Sequence, residues 1–391
     1  MLPLEGINVV SLEHAIAAPF ATRQLADLGA RVIKIERPGV GDFARNYDTR
    51  VNGMASHFVW TNRSKESLTL DIKHPKGTVI LHKLVADADV VVQNLAPGAA
   101  ARLGLGYDAL SKKNPRIIVC NISGYGAGGP DENRKAYDLL IQSEAGFVTT
   151  TGTPENPSKA GISIADISAG MYAYSNILAA IIQRGKTGKG CEIDLSMLDA
   201  MTEWMSYPLY YAYDGAAPPA RAGASHSTIF PYGPFVVGDG HTVILGLQNE
   251  REWKTFCEIV LEAPALASDS RFSSNSLRAK SKDALTQIIT TSFADCTTEQ
   301  VIKRLDRAGI ANAKMNEMRD IWNHAQLAAR NRWRSVDTPV GRIPALLPPG
   351  GIGAEPRMDA VPALGQHTAC LLAEIGYSEK DIAALQIEKV I

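Results

Sequence analysis

The chain has 391 residues, of which 45% are hydrophobic and 21% are charged. This composition is typical of globular proteins and excludes a disordered chain. The length predicts two domains, or one large domain with an insertion. Forty basic side chains stand against 41 acidic ones, for a net charge of -1. That balance argues against a protein that binds duplex nucleic acid, but it leaves room for a small basic pocket.

The cysteine and histidine patterns indicate neither disulfides nor a metal site. The five cysteines are sparse, odd in number and never spaced as C-x-x-C, which is typical of a reducing compartment. The eight histidines show no paired ligand spacing. No signal-peptide pattern opens the sequence, and the longest uncharged stretch, 167–183, is too short and polar to span a bilayer. We therefore expect a cytoplasmic protein without a bound metal.

Strand and helix signals alternate along the first half of the chain. Apolar runs suited to buried parallel strands are followed by amphipathic or apolar helical segments. The predicted strands are 7–12, 30–36, 89–95, 115–123 and 191–197, and the predicted helices are 19–28, 76–88 and 167–184. This alternation predicts an open α/β domain with a parallel sheet and right-handed crossovers.

The composition changes near residue 221. A small, polar and aromatic segment leads to strand signals around 241–247, and the chain from 251 to about 320 is mostly helical in pattern. We predict a smaller α+β domain at 225–325. The large domain then comprises 1–224 and 326–391, with strand and loop at 338–353 and helix at 364–385.

A glycine segment, 124–129, satisfies G-x-G-x-x-G after a predicted strand. A dinucleotide site is disfavoured because this is not the first strand-to-helix turn, Pro130 follows at once, and no helix starts at the last glycine. The segment is interpreted as a flexible loop, or as a mobile loop beside a site.

Asp166 stands just before the apolar helix predicted at 167–184 and has two interpretations. In the first interpretation it is a helix N-cap, since aspartate is among the best capping residues. Alternatively it is a nucleophile: the helix N-terminus stabilises the anion, which stays ionised at neutral pH and attacks an activated carbonyl. Position alone does not decide between the two.

Several cations follow predicted strands or lie near loops, namely Arg37, Lys73, Arg102 and Lys135. Most surface cations are solvated and contribute little. Ligands of open α/β sheets, however, collect at the carboxyl ends of the strands, where Arg37 is expected. A phosphorylated ligand would need such charges.

The ordered motifs of the chain resemble those of the family III CoA-transferases. The matching segments are 4–42, 62–77, 91–107, 122–130, 135–142, 187–190 and 364–368. Each is weak alone, but together they cover nearly the whole chain in order and are highly specific. The resemblance implies a large Rossmann-like domain formed by both chain ends, a smaller domain between them, and two chains interlocked as a homodimer.

The resemblance also assigns site residues. The catalytic aspartate of the family falls on Asp166. The positions expected to contact CoA, a substrate and not a resident cofactor, are His14, Ala15, Ile16, Arg37, Leu70, Lys73, Asn94, Leu95, Arg102, Leu103, Lys135 and Tyr137. Ile16 stands where some relatives have a glutamine, so one polar contact to bound intermediates is expected to be absent or supplied elsewhere.

The implied reaction is covalent. Asp166 attacks an acyl-CoA to give an aspartyl-acyl anhydride, and the CoA thiolate returns to form an aspartyl-CoA thioester. Backbone N–H groups of 124–129 are our candidates for oxyanion stabilisation. The sequence favours succinyl-CoA as donor and mesaconate, itaconate, citramalate or malate as acceptor. Arg23, Arg221 and His226 are candidate partners of the acceptor carboxylate.

Three other classes compete with the transferase. The α-methylacyl-CoA racemases share the fold, but their acid–base histidine falls on Tyr137, and tyrosine, with an unperturbed pKa of about 10, is a poorer proton carrier. A non-catalytic acyl-CoA-binding protein would not need Asp166. An NAD oxidoreductase is the most distant alternative.

Overall fold

The computed structural model describes residues 1–391 and divides the chain into two compact units. The first unit contains Met1–Phe147, Ala160–Tyr207 and Leu327–Ile391, and the second contains Val148–Lys159 and Pro208–Gln326. The second unit therefore contains the predicted small domain, 225–325, and also residues 148–159 and 208–224 that precede it. None of the helices combines the length and apolar character needed to cross a membrane.

A parallel sheet of six strands forms the centre of the first unit. Its strands are β1 Asn8–Leu12, β2 Arg31–Glu36, β3 Lys65–Thr69, β4 Val90–Gln93, β5 Ile118–Ser123 and β6 Glu192–Ser196. Their order is β3-β2-β1-β4-β5-β6, and every neighbouring pair is parallel. The direction of progression reverses between β1 and β4, where open α/β sheets form their ligand crevice. The five predicted strands are confirmed.

β3 is the strand that the hydrophobic pattern did not predict. It begins with Lys65 and Glu66, and charged residues are depleted in strands. Lys65 is nevertheless buried, because its ammonium donates to the Glu13 carboxylate at 2.6 Å. Burial by ion pairing, which no hydropathy pattern reports, therefore explains the missed strand.

The helices occur in both units. In chain order they are α1 Ala17–Asp27, α2 Ser56–Thr61, α3 Pro75–Ala86, α4 Ala99–Arg102, α5 Tyr107–Leu110, α6 Asp138–Glu144, α7 Phe147–Thr150, α8 Ile164–Thr187, α9 Met197–Trp204, α10 Ser206–Tyr211, α11 Glu250–Thr255, α12 Asn275–Lys280, α13 Lys282–Phe293, α14 Thr298–Arg307, α15 Met318–Trp322, α16 Ala325–Ala329, α17 Thr368–Glu374 and α18 Glu379–Ile387. The predicted helices correspond to α1, α3 and α8.

Both faces of the parallel sheet are covered. In β1, Val9 joins the core that contains α1 and α8, whereas Val10 joins the core that contains α3, α17 and α18. Successive side chains of a strand point to opposite faces, so a sheet covered twice needs apolar residues in succession. This explains why the strands appear as continuous apolar runs.

Gly170 lets α8 pack closely against the start of α1. A Cβ at this position would lie 2.7 Å from the carbonyl oxygen of Ala17 and 2.9 Å from the ring of Phe20. Because the contact is near the N-terminus of α8, it brings Asp166 towards the loop between β1 and α1.

The second unit has an antiparallel sheet and its own core. The strands β7 Tyr232–Val236, β8 Thr242–Gly246 and β9 Ala311–Lys314 pair in that order. Trp253, Phe256 and Phe272 are buried in the core of this unit. The remaining two strands, β10 Trp333–Val336 and β11 Ile343–Leu346, form an antiparallel pair in the first unit.

Candidate active site

A large cavity of about 1890 Å³ lies in the first unit, at the carboxyl edge of the parallel sheet. Ordinary pockets for small ligands measure about 300–1,000 Å³, so this one suits a larger molecule. Every residue that the resemblance assigns to catalysis or to CoA contact lines it: His14, Ala15, Ile16, Arg37, Leu70, Lys73, Asn94, Leu95, Arg102, Leu103, Lys135, Tyr137 and Asp166. Residues far apart in the chain thus meet in one place.

The loop after β1 is held by side chains from two other segments. The amide of Asn94, which follows the neighbouring strand β4, accepts from the N–H of His14 and donates to its carbonyl, both at 2.9 Å. Asp42 accepts from the N–H of Ala15 at 3.1 Å. Ala15 has a φ of 62°, which a residue with a Cβ rarely adopts. These bonds therefore fix an unfavourable backbone at the wall of the cavity.

A buried ionic cluster supports this loop from beneath. Lys34 donates to Asp42 at 2.8 Å and to Glu13 at 3.3 Å, and Glu13 also accepts from Lys65 at 2.6 Å and Thr22 at 2.6 Å. Burial alone would raise the pKa of Glu13, but Lys65 and Lys34 hold it at about 2. The carboxylate is consequently charged throughout the neutral range.

Four cations around the cavity form no ion pair within the chain. Arg37, Lys73, Arg102 and Lys135 are exposed, line the cavity and form no ion pair. Arg134, which also lines it, is different because it pairs with Asp131 and Glu144. Unpaired cations around a concave surface favour an anionic ligand.

Asp166 is the third residue of α8, so the N-cap interpretation is wrong. The helix begins at Ile164 and its N-cap is Ser163, whose side chain makes no capping bond. The helix end is satisfied instead by Asp138, which accepts from the N–H of Ala165 at 2.8 Å and of Asp166 at 3.4 Å. The carboxylate of Asp166 is thereby left to face the cavity.

The expectation that Asp166 is fully ionised at neutral pH is also wrong. Burial and the nearby negative charge of Asp138 raise the pKa of Asp166 to about 7, against a hydrogen bond from the backbone of Ala17. Asp166 therefore takes up a proton at a much higher pH than an ordinary aspartate does. A pKa this perturbed, in a cleft, is typical of functional carboxyls.

Asp138 is the functional candidate that the sequence analysis missed. Its second oxygen accepts from the buried amide of Gln142 at 2.6 Å, so the side chain is fixed in place. It lies directly after Tyr137 in a matched motif, and a carboxylate beside an assigned position was the available signal. Its charge adds to the effect of burial on the pKa of Asp166, and its Oδ1 accepts from two N–H groups at the start of the helix that carries Asp166.

Two tyrosines accompany these carboxyls in the cavity lining. Tyr137 is 68% exposed and precedes α6 as its N-cap residue. Burial, Asp42 and Asp166 raise the pKa of Tyr47 to about 12. Its hydroxyl therefore remains a proton donor over the whole working pH range.

The glycine segment does not present a row of free donors. The N–H groups of Gly126, Ala127 and Gly128 are bonded to Ser123, Asp194 and Glu132. Only Gly124 of this segment lines the cavity, and a Cβ there would lie 2.1 Å from the Cβ of Ala136. The expectation of oxyanion donors from Gly126 to Gly128 is therefore wrong.

The three candidate carboxylate partners are engaged in other contacts. Arg23 is buried and donates to Asp27 at 2.6 Å, and it does not line the cavity. Arg221 belongs to the second unit, where it donates to the carbonyls of Thr149, Thr153 and Pro154.

His226 is the third of these candidates and also belongs to the second unit. Its ring stacks on Tyr232, and its Nδ1 accepts from the N–H groups of Thr228 and Ile229. A loop-bracing role accounts for these contacts.

Comparisons with known proteins agree on one family. A model described as CoA-transferase family III matches residues 4–368. Succinyl-CoA:glutarate CoA-transferase of Mus musculus is 35% identical over 397 residues, which cover 100% of this chain and 91% of that protein. Succinate–glutarate CoA-transferase of Agrobacterium fabrum is 33% identical, with 97% of each chain covered.

A solved structure gives the same result. The crystal structure of a CAIB/BAIF family protein from Brucella suis has a TM-score of 0.86 and 33% identity, and the match covers 96% of this chain and 99% of that one. The chain is thus an α/β enzyme that acts on CoA thioesters. It belongs to CoA-transferase family III and is a CoA-transferase.

Proposed function

We propose that this enzyme transfers CoA from succinyl-CoA to a small dicarboxylic acid, with Asp166 as the nucleophile. The observation that carries the proposal is the carboxyl of Asp166 at the N-terminus of α8, in the same cavity as every residue expected to contact CoA. The names of the two relatives support a succinyl donor. The acyl group of the donor and the acceptor are then both dicarboxylic acids, so one site serves both half-reactions.

The proposed reaction passes CoA from donor to acceptor through covalent intermediates on Asp166. The Asp166 carboxylate attacks the thioester carbonyl of the donor, and the C–S bond breaks to give an aspartyl-succinyl anhydride and CoA thiolate. The thiolate attacks the aspartyl carbonyl, which releases succinate and leaves an aspartyl-CoA thioester. The acceptor carboxylate then attacks that thioester, expelling the thiolate, which finally attacks the acceptor carbonyl and frees Asp166.

Only ionised Asp166 can begin this sequence. Since its pKa is about 7, kcat/KM of the free enzyme is expected to fall as the pH drops through that value. The same burial that raises the pKa also strips water from the anion. A desolvated carboxylate is a better nucleophile than a hydrated one, which suits attack on a thioester.

Replacing Asp138 with asparagine tests the electrostatic link. The negative charge of Asp138 raises the pKa of Asp166, and an asparagine oxygen can still accept from Ala165. We expect the acid limb of the kcat/KM profile to move to lower pH by roughly one unit, as removal of a neighbouring like charge predicts. Steady-state rates from pH 5 to 9 would measure it.

The matched control is Asp138→Ala, which removes the charge and the hydrogen-bond acceptor together. It should show the same pH displacement with an additional loss of kcat, since α8 loses its cap. An Asp138→Asn profile that superimposes on that of the wild type would refute the link.

A thioester assay tests the substrates. Purified protein is given succinyl-CoA and a panel of mesaconate, itaconate, citramalate, malate and glutarate, and mass spectrometry identifies every CoA thioester formed. We expect a new thioester with matching loss of succinyl-CoA. The racemase alternative is not favoured by the relatives; α-proton exchange on branched acyl-CoAs without any new thioester would restore it.

We also propose a homodimer. Exposed apolar side chains lie near the site on α6 and just before α8: Leu139 is 47% exposed and Ile162 is 61% exposed. Such groups, beside the 68% exposed Tyr137, are typical of surfaces that a partner covers. Light scattering in solution should give twice the 42.0 kDa of one chain. A monomer mass at micromolar concentration would contradict it; interlocking stays a prediction.

A further inference from the structure

One more cation lines the large cavity and has no assigned role. The last turn of α18 contributes Gln386 to the lining, and the segment that follows the helix contributes Lys389 and Ile391. Lys389 is exposed and forms no ion pair. Its neighbour Glu388, in contrast, is bonded to Lys76 at 2.6 Å. The carboxylate nearest in sequence to Lys389 is therefore engaged elsewhere.

The backbone presents Lys389 in a conformation that needs support. Its φ is 57°, in the left-handed region that residues with a Cβ rarely occupy. The support comes from Val390, whose side chain is fully buried and whose carbonyl accepts from the N–H of Asp71 at 2.7 Å. Conformations of this kind persist where the surroundings determine them, often at ligand sites.

The hydrogen bond between Asp71 and Val390 joins Lys389 to the turn that carries Lys73. Asp71 also accepts from the N–H of Lys73 at 3.0 Å. Gly77 keeps this turn tight, because a Cβ there would lie 2.0 Å from the carbonyl oxygen of Asp71. Two unpaired lysines are thus presented by segments that are bonded to each other.

We propose that Lys389, together with Lys73, binds the phosphomonoester on the ribose of CoA. A phosphomonoester carries close to two negative charges near neutrality, since its second pKa is about 6, and two ammonium groups match it. Asp71 also lines the cavity, but its carboxylate accepts a hydrogen bond from the N–H of Lys73. The proposal rests on the proposed function only in placing CoA in this cavity.

Calorimetric titration with CoA and with 3′-dephospho-CoA tests the assignment. We expect Lys389→Ala to weaken CoA binding about tenfold, the usual scale for a lost charge-assisted hydrogen bond, and to leave dephospho-CoA binding unchanged. Lys380→Ala is the matched control, because Lys380 is an exposed lysine of α18 that does not line the cavity. It should leave both affinities unchanged.

Equal weakening of both ligands by Lys389→Ala, or of neither, would overturn the proposal. Because Lys389 is exposed, the variant should melt at the wild-type temperature, and a calorimetric scan checks this. The titration involves no turnover. Failure of the Asp166 chemistry would therefore leave the result intact, and a failed phosphate assignment would leave that chemistry untouched.

Discussion

Replacing Asp166 with asparagine is expected to abolish CoA transfer while CoA binding survives. The amide keeps the size of the side chain but has no anion with which to attack the thioester. Loss of a covalent nucleophile costs on the order of 10⁴-fold or more in kcat, because no other group takes over its bond. Binding should persist, since the other residues that line the cavity are untouched.

The matched control is Asp199→Asn. Asp199 is the third residue of α9, as Asp166 is of α8, but it does not line the cavity. It should keep wild-type transfer and stability. Turnover by Asp166→Asn within about tenfold of wild type would show that acyl groups pass directly between substrates, because such a loss is far below that of a nucleophile.

Replacing Lys34 with methionine is expected to destabilise the first unit severely. Lys34 is fully buried and donates to both Glu13 and Asp42, and these opposite charges raise its pKa against the effect of burial. Methionine fills nearly the same volume but leaves the carboxylates undercompensated. Removing one partner of a buried ionic cluster costs about 3–5 kcal/mol. Urea denaturation followed by tryptophan fluorescence would measure it.

Lys112→Met is the control, because Lys112 is exposed and forms no ion pair. Its free energy of unfolding should change by less than about 0.5 kcal/mol. A Lys34→Met variant as stable as this control would mean that the cluster contributes nothing. The variant should also bind CoA more weakly, since Asp42 holds the N–H of Ala15 at the cavity wall.

The sequence predicted those parts of the fold in which burial is apolar. β1 and β4 each contain consecutive valines, a pattern that signals a strand covered on both faces. β3 escaped because its first buried residue is Lys65, whose burial depends on Glu13, a partner far away in the chain. Ion pairing across a sheet has no periodic signature, so hydropathy could not report it.

The site shows a similar division. The ordered motifs identified residues that line one cavity, but the motifs are silent on ionisation. The pKa of Asp166 depends on burial and on Asp138, whose position becomes clear only when α6 and α8 meet. Lys389 lay outside every matched segment, and only the fold brings it to the cavity. These contacts between distant segments could not be predicted from the sequence alone.

Trapping the covalent intermediate tests the central claim most directly. The enzyme is incubated with succinyl-CoA, quenched with hydroxylamine, digested, and analysed by peptide mass spectrometry. An acyl-activated aspartate should appear as a hydroxamate at Asp166. The hydroxamate should be absent from enzyme that received CoA alone, without succinyl-CoA or succinate. If transfer proceeds at full rate while the peptide with Asp166 stays unmodified at every quench time, covalent transfer through Asp166 is refuted.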